Sequence, residues 1–127
     1  MNPAVKSLII KAQDNIDTAK KLLSDDKQHD IVGYNLAQAG ELLLKALCEM
    51  RQVEYSHEDE GHDLDLLMET LEESGFGAVS SYADVVELTM YNATNASVRK
   101  DDRLDLTEYL GHVEDLKKFV GEQYKLH

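Results

Sequence analysis

The chain has 127 residues, 43% of them hydrophobic and 30% charged, enough for one domain with its own core and an ordinary polar surface. A formal net charge of -12 repels bare nucleic acid wherever basic residues do not cluster, and it favours a basic partner. The apolar runs are too short to span a bilayer, "MNPAVKSLIIKAQ" lacks the layout of a secretory signal, and a lone cysteine precludes an internal disulfide, so the expected location is a reducing cytoplasm.

One proline and few turn signals favour an all-α chain. Pro3 suits the first turn of a helix. Val5, Leu8, Ile9, Ala12, Ile16, Ala19, Leu22 and Leu23 then recur at helical spacing, which predicts a first helix to about Leu23. "SDDKQHD" makes a polar turn in which Asp30 or a neighbour caps the next helix.

A second helix is expected over about His29 to Arg51. Leu36, Gly40, Leu43, Leu44 and Leu47 share one face, while Gln38, Glu41, Lys45 and Glu49 form a narrow polar stripe. Glu41 precedes Lys45 by four residues, the favourable order for a helical ion pair. The pair is either a surface bridge or the lining of a cleft or dimer seam. Gly40 on the apolar face predicts close approach of another helix, because glycine otherwise weakens a helix.

"QVEYSHEDEGHD" is a loop. A short third helix follows, with Leu64, Leu67, Met68 and Leu71 on one face and Gly75 as its C-terminal stop. A fourth is expected from about Ser81 to Asn92, built on Tyr82, Val85, Val86, Leu88 and Met90. "NATNASVRKDDR" reads as irregular. The last helix starts near Thr107, with Asp105 and Glu108 at its head, and buries Tyr109, Leu110, Val113, Leu116, Val120 and Tyr124. No repeat or linker divides the chain. The expected fold is a single domain over 1–127, an antiparallel up-and-down bundle of four long helices plus one short helix.

Few motifs carry chemistry. His57 and His62 are one residue too far apart for the His-Glu-x-x-His zinc pattern, and they lie in a loop. Glu54-x-x-His57 is one half of a di-iron pattern that needs two. "GFGAVS" follows a helix and lacks the third glycine of a dinucleotide loop. No metal or cofactor is therefore expected. Arg99, Lys100 and Arg103 form the late basic cluster, diluted by Asp101, Asp102 and Asp105. They are either phosphate ligands or a neutralised surface loop. Tyr91 and Asn92, just upstream, would either meet a base or close the end of a helix.

"YNLAQAGELLLKAL", a loop, and "GHDLDLLMETL" together resemble the HEPN domain family. The matching positions are Gln38, Ala39, Glu41 and Lys45 on one helix and His62, Leu64 and Leu67 at the start of the next. The resemblance covers most of the chain. It implies an antiparallel helical bundle, a homodimer, and a role around nucleotides or RNA. It also implies partnership with a small nucleotidyltransferase, often as a toxin–antitoxin pair. Some members are metal-independent ribonucleases that use Arg-x4–6-His late in the domain, where the arginine steadies a phosphate and the histidine moves a proton. Here eight residues separate Arg103 from His112, and Arg51 and His57 have the spacing but lie at the end of the second helix. The late segment is more similar to the non-nuclease branch, whose arginine after the fourth helix Arg99 or Arg103 would supply. The expected function is a non-catalytic nucleotide- or partner-binding module, with Glu41, Lys45, His62, Tyr91, Asn92, Arg99 and Arg103 as its ligand-binding residues. The alternatives are a metal-independent ribonuclease toxin, with His62 or His112 reaching an arginine in space, and a ligand-free helical interaction protein.

Overall fold

A computed structural model describes residues 3–55, 63–92 and 98–126. The regular elements among these residues are all helices, with no strand. Helices α1 (Pro3–Leu22), α2 (His29–Met50) and α4 (Leu106–Leu126) are long, and α3 (Leu64–Glu73) has ten residues. One-turn 3₁₀ helices, Asp26–Gln28 and Lys100–Asp102, precede α2 and α4.

Local chemistry sets the helix ends. Asp63 Oδ1 accepts from the backbone N–H groups of Asp65 and Leu66 and starts α3. Asp105 does the same for Thr107 and Glu108 at the head of α4. After α3, Gly75 turns left-handed (φ 96°). Phe76 N–H then reaches Leu71 O and Gly75 N–H reaches Glu72 O, which satisfies two end carbonyls. The start of α2 departs from expectation. Asp30 lies inside its first turn, and Gln28 at the cap makes no side-chain bond. It is Asp25 that caps, one element earlier, accepting from Lys27 N–H.

The expected fourth α-helix is instead a 3₁₀ segment over Gly77–Asn92, broken at Tyr82 by non-helical angles (φ -111°, ψ 20°). The spacing of its apolar side chains supplies the reason. Val79, Val85, Leu88 and Tyr91 are buried, with Tyr82 half-buried between them, and Phe76 is buried just ahead. All six stand three residues apart. Three residues per turn stack them in one row, whereas 3.6 would spread them around the helix. Met90, off that row, is exposed rather than part of the core.

Helix α2 sits at the centre and packs on α1, α3, α4 and the 3₁₀ segment. Twelve of its 22 residues are buried, including Gly33 and Gly40. A Cβ on Gly33 would lie 2.3 Å from the Tyr91 ring, and one on Gly40 would lie 2.8 Å from Val85 Cγ1. The expected close approach at Gly40 is therefore made by the 3₁₀ segment. The two contacts run in opposite chain directions, so that segment crosses α2 antiparallel. Seven residues of α-helix and six of 3₁₀ helix span similar lengths, about 10 and 12 Å, so the contacts stay in register.

Gly33→Ala is expected to lower stability by about 1–3 kcal/mol in urea denaturation, because the buried ring has no room to retreat. Gly111→Ala and Gly121→Ala on α4 meet nothing within 4 Å. They should raise stability by about 0.5–1 kcal/mol each. Equal effects at Gly33 and Gly111 would contradict the packing described.

Candidate functional site

The polar stripe of α2 turns inward. Glu41 is 2% exposed, and Lys45 Nζ lies 3.4 Å from its Oε2. The pair is thus no surface bridge. A buried carboxylate is tolerable only with partners, and Lys45 supplies one at the cost of its own partial burial. The Lys45 ammonium stands 6.0 Å from the centre of the Tyr55 ring. Tyr55 O–H donates to Glu49 Oε1 at 3.0 Å, one turn further along α2. Burial pushes the Tyr55 hydroxyl above its ordinary range, with help from the Glu49 bond, and keeps it a donor. Three residues before Glu41, Gln38 Nε2 donates to Asn92 Oδ1 at 3.0 Å. The stripe therefore ties the end of the 3₁₀ segment to the chain just beyond α2. His62, expected at the start of the third helix, lies outside the described residues, as does the rest of the acidic stretch over 56–62.

A second cluster forms at the N-terminal end of α2. The Tyr91 ring is 4% exposed and lies against Gly33. Its hydroxyl contacts His29 Nε2 at 2.8 Å and accepts the Leu104 N–H at 3.1 Å. Arg103, the residue just before Leu104, places a guanidinium nitrogen 3.6 Å from Asp26 Oδ1. Asp26 is almost fully exposed, so this ion pair is weak. Burial lowers the His29 pKa below its ordinary value and the Arg103 charge adds to the effect, while Asp30 and Asp26 oppose it. Asp30 Oδ1 is buried and has no hydrogen-bond partner.

Arg99 and Arg103 flank the Lys100–Asp102 turn in extended conformations, closed by a bond from Asp102 N–H to Arg99 O. Arg99, Lys100 and Arg103 are all exposed. The fold therefore gathers Tyr91 and Arg103 at one end of α2, and it joins Asn92 to the Glu41–Lys45 stripe through Gln38.

His29 was not among the residues expected at a site. Its signal was its position four residues before Gly33, on the side of α2 that a glycine leaves open for Tyr91. His112 goes elsewhere. It lies 3.6 Å from Glu108 and 3.9 Å from Asp84, with its ring edge-on to Tyr109, whose hydroxyl bonds Glu87. Arg51 stacks over the Phe76 ring at 4.1 Å. Cys48 is buried and its thiol pKa is pushed up to about 12, so it packs as a small apolar group. Among the described residues no group of three or more His, Cys, Asp or Glu could hold a metal ion, and no helix is long and apolar enough to cross a membrane.

The HEPN domain family model matches residues 5–123, nearly the whole chain. The chain belongs to that family. No curated protein and no solved structure matches it.

Lys45→Met should destabilise the fold by roughly 3 kcal/mol, because it takes the ammonium away from a buried carboxylate. The double variant Glu41→Met/Lys45→Met should recover much of that loss, since two apolar side chains need no partner. Chemical denaturation of both variants decides this. A double variant no more stable than Lys45→Met would mean that Glu41 is held by something other than its charge partner.

Proposed function

We propose that this HEPN-family chain is a non-catalytic binding module that takes the phosphates of a nucleotide at its late basic turn. The observation that carries this is the arrangement of Arg99, Lys100 and Arg103. All three are exposed on or beside one short 3₁₀ turn, and the ion pair between the Arg103 guanidinium and Asp26 is weak enough for a phosphate to displace. In an acidic chain, such a turn is the natural landing point for an anion.

The same reading includes a protein partner. A net charge of -12 suits docking on a basic enzyme, and the family points to a small nucleotidyltransferase, with a toxin–antitoxin role for the pair. Ile31 and Tyr34 are exposed and three residues apart on α2, close to the Arg103 end. They supply apolar surface for a second copy in a homodimer. The buried free thiol of Cys48 suits a cytoplasmic setting.

A ribonuclease is the second reading. It needs a histidine with an available nitrogen beside an arginine. His29 lies close enough to Arg103 to feel its charge, but its Nε2 is taken up by Tyr91, which leaves only Nδ1 for proton transfer.

Arg103→Ala should weaken ATP binding about tenfold or more by calorimetry, the loss expected of a charge-assisted bond, while the urea midpoint stays close to wild type. Unchanged affinity would remove the phosphate site from this turn. Metal-independent RNA cleavage by the purified protein, abolished in the same variant, would move the ribonuclease reading to first place.

A further inference from the structure

We propose that His29 is a positioning residue for Arg103, acting through the Tyr91 hydroxyl and the Leu104 backbone, and that the hold loosens when His29 takes up a proton. The inference rests on the reading that Arg103 contacts phosphate.

The donors and acceptors define the chain of bonds. Leu104 N–H can only donate, so the Tyr91 oxygen accepts it. In the neutral tautomer that leaves Nε2 bare, the hydroxyl proton has that nitrogen as its acceptor, 2.8 Å away. That tautomer carries its hydrogen on Nδ1. Tyr91 has little access to water that could replace this arrangement, since the residue is 4% exposed and its ring lies against Gly33. Leu104 is the next residue after Arg103. Fixing its N–H fixes the peptide from which the guanidinium hangs. The Arg103–Asp26 pair is too long and too exposed to do that work.

Among the described residues, four groups face His29. Arg103 comes from the segment before α4, Tyr91 from the 3₁₀ segment, Asp30 from the first turn of α2, and Asp26 from the turn ahead of it. Arg103 and burial favour the neutral ring; the two aspartates oppose them, and the balance lies with the neutral form. The folded pKa is therefore below the ordinary 6.5, and the hold present above 6.5 is lost as pH falls through the folded value. Once protonated, Nε2 becomes a donor that faces the hydroxyl proton. The Tyr91 oxygen must then accept from two N–H groups at once, and its own proton loses its acceptor at a part-buried site.

Two readouts test this. The first is the hydrogen-exchange protection factor of the Leu104 amide, which involves no ligand. It should fall about tenfold in wild type across the protonation of His29, followed downward from pH 7.5 by the NMR signal of its own ring. It should stay level in His29→Gln, whose side-chain oxygen accepts but does not titrate. Tyr91→Phe should lower it at every pH. Parallel pH profiles for wild type and His29→Gln would overturn the proposal, as would full Leu104 protection in Tyr91→Phe. If Tyr91→Phe does not fold, the His29→Gln comparison alone decides.

The second readout is ATP affinity over the same range, taken as the ratio of His29→Gln to wild type so that titration of ATP itself cancels. The positioning role makes wild type lose affinity on acidification relative to His29→Gln. A relative gain means that His29 meets the phosphate directly as a cation, which also overturns the proposal. A Leu104 amide that behaves as expected in a protein that binds no ATP at any pH leaves the hold standing and removes the phosphate reading.

Discussion

The fold depends on how closely the 3₁₀ segment can approach α2. Two glycines on α2 make that approach, Gly33 beneath the Tyr91 ring and Gly40 beneath Val85. Without them the segment would stand off by the thickness of a methyl group, and its whole apolar row would lose contact. Everything placed at the edges of this seam follows from it. Tyr91 reaches His29 and Leu104 because its ring can sink against Gly33. Asn92 reaches Gln38 because it follows Tyr91. Thr89 Oγ1 can accept the first N–H of α3, at Leu64, because the segment lies alongside.

The seam also explains where polar groups occur inside an apolar bundle. Glu41 adjoins Gly40 on α2 and is drawn inward with it. Lys45 and the Glu49–Tyr55 bond continue the polar line along the helix, so that charge is carried along one side and does not interrupt the leucines on the other. Asp30 shows the cost at the open end. Its buried Oδ1 lacks a partner in a cluster where a histidine, a tyrosine and an arginine already have theirs.

Much of this was legible in the sequence. The 3.6-residue repeats of Val5 to Leu22 and of Tyr109 to Val120 locate α1 and α4, because each helix buries one stripe and leaves the rest wet. Gly40 announced a close neighbour, and Asp105 and Gly75 announced helix ends. The nature of the neighbour was missed. A row of apolar residues three apart differs little from one three-and-four apart over ten residues, and β-branched valines fit either. Glu41 and Lys45 were recognised as a pair, but exposure depends on what packs above them, which helical spacing does not contain. His29 went unnoticed for the same reason. Its partners are 62 residues away in Tyr91 and further still in Arg103, and only the antiparallel crossing brings them together. Arg103 is legible from the sequence in two ways, as part of the late basic cluster of an acidic chain and as the arginine that the family resemblance implies after the fourth helix.

The 3₁₀ winding of the segment over Gly77–Asn92 has a mechanical consequence. A 3₁₀ helix rises about 2.0 Å per residue and an α-helix about 1.5 Å, so sixteen residues rewound to α geometry shorten by about 8 Å. Six residues of α winding also turn by about 600°, leaving Val85 and Tyr91 about 120° apart around the axis, so such a rod cannot keep Val85 over Gly40 and Tyr91 over Gly33 together. Its two ends are therefore gauged to each other through its pitch, and any change in winding at the Tyr82 break would be felt as a displacement at the far end, where Tyr91 meets the start of α2.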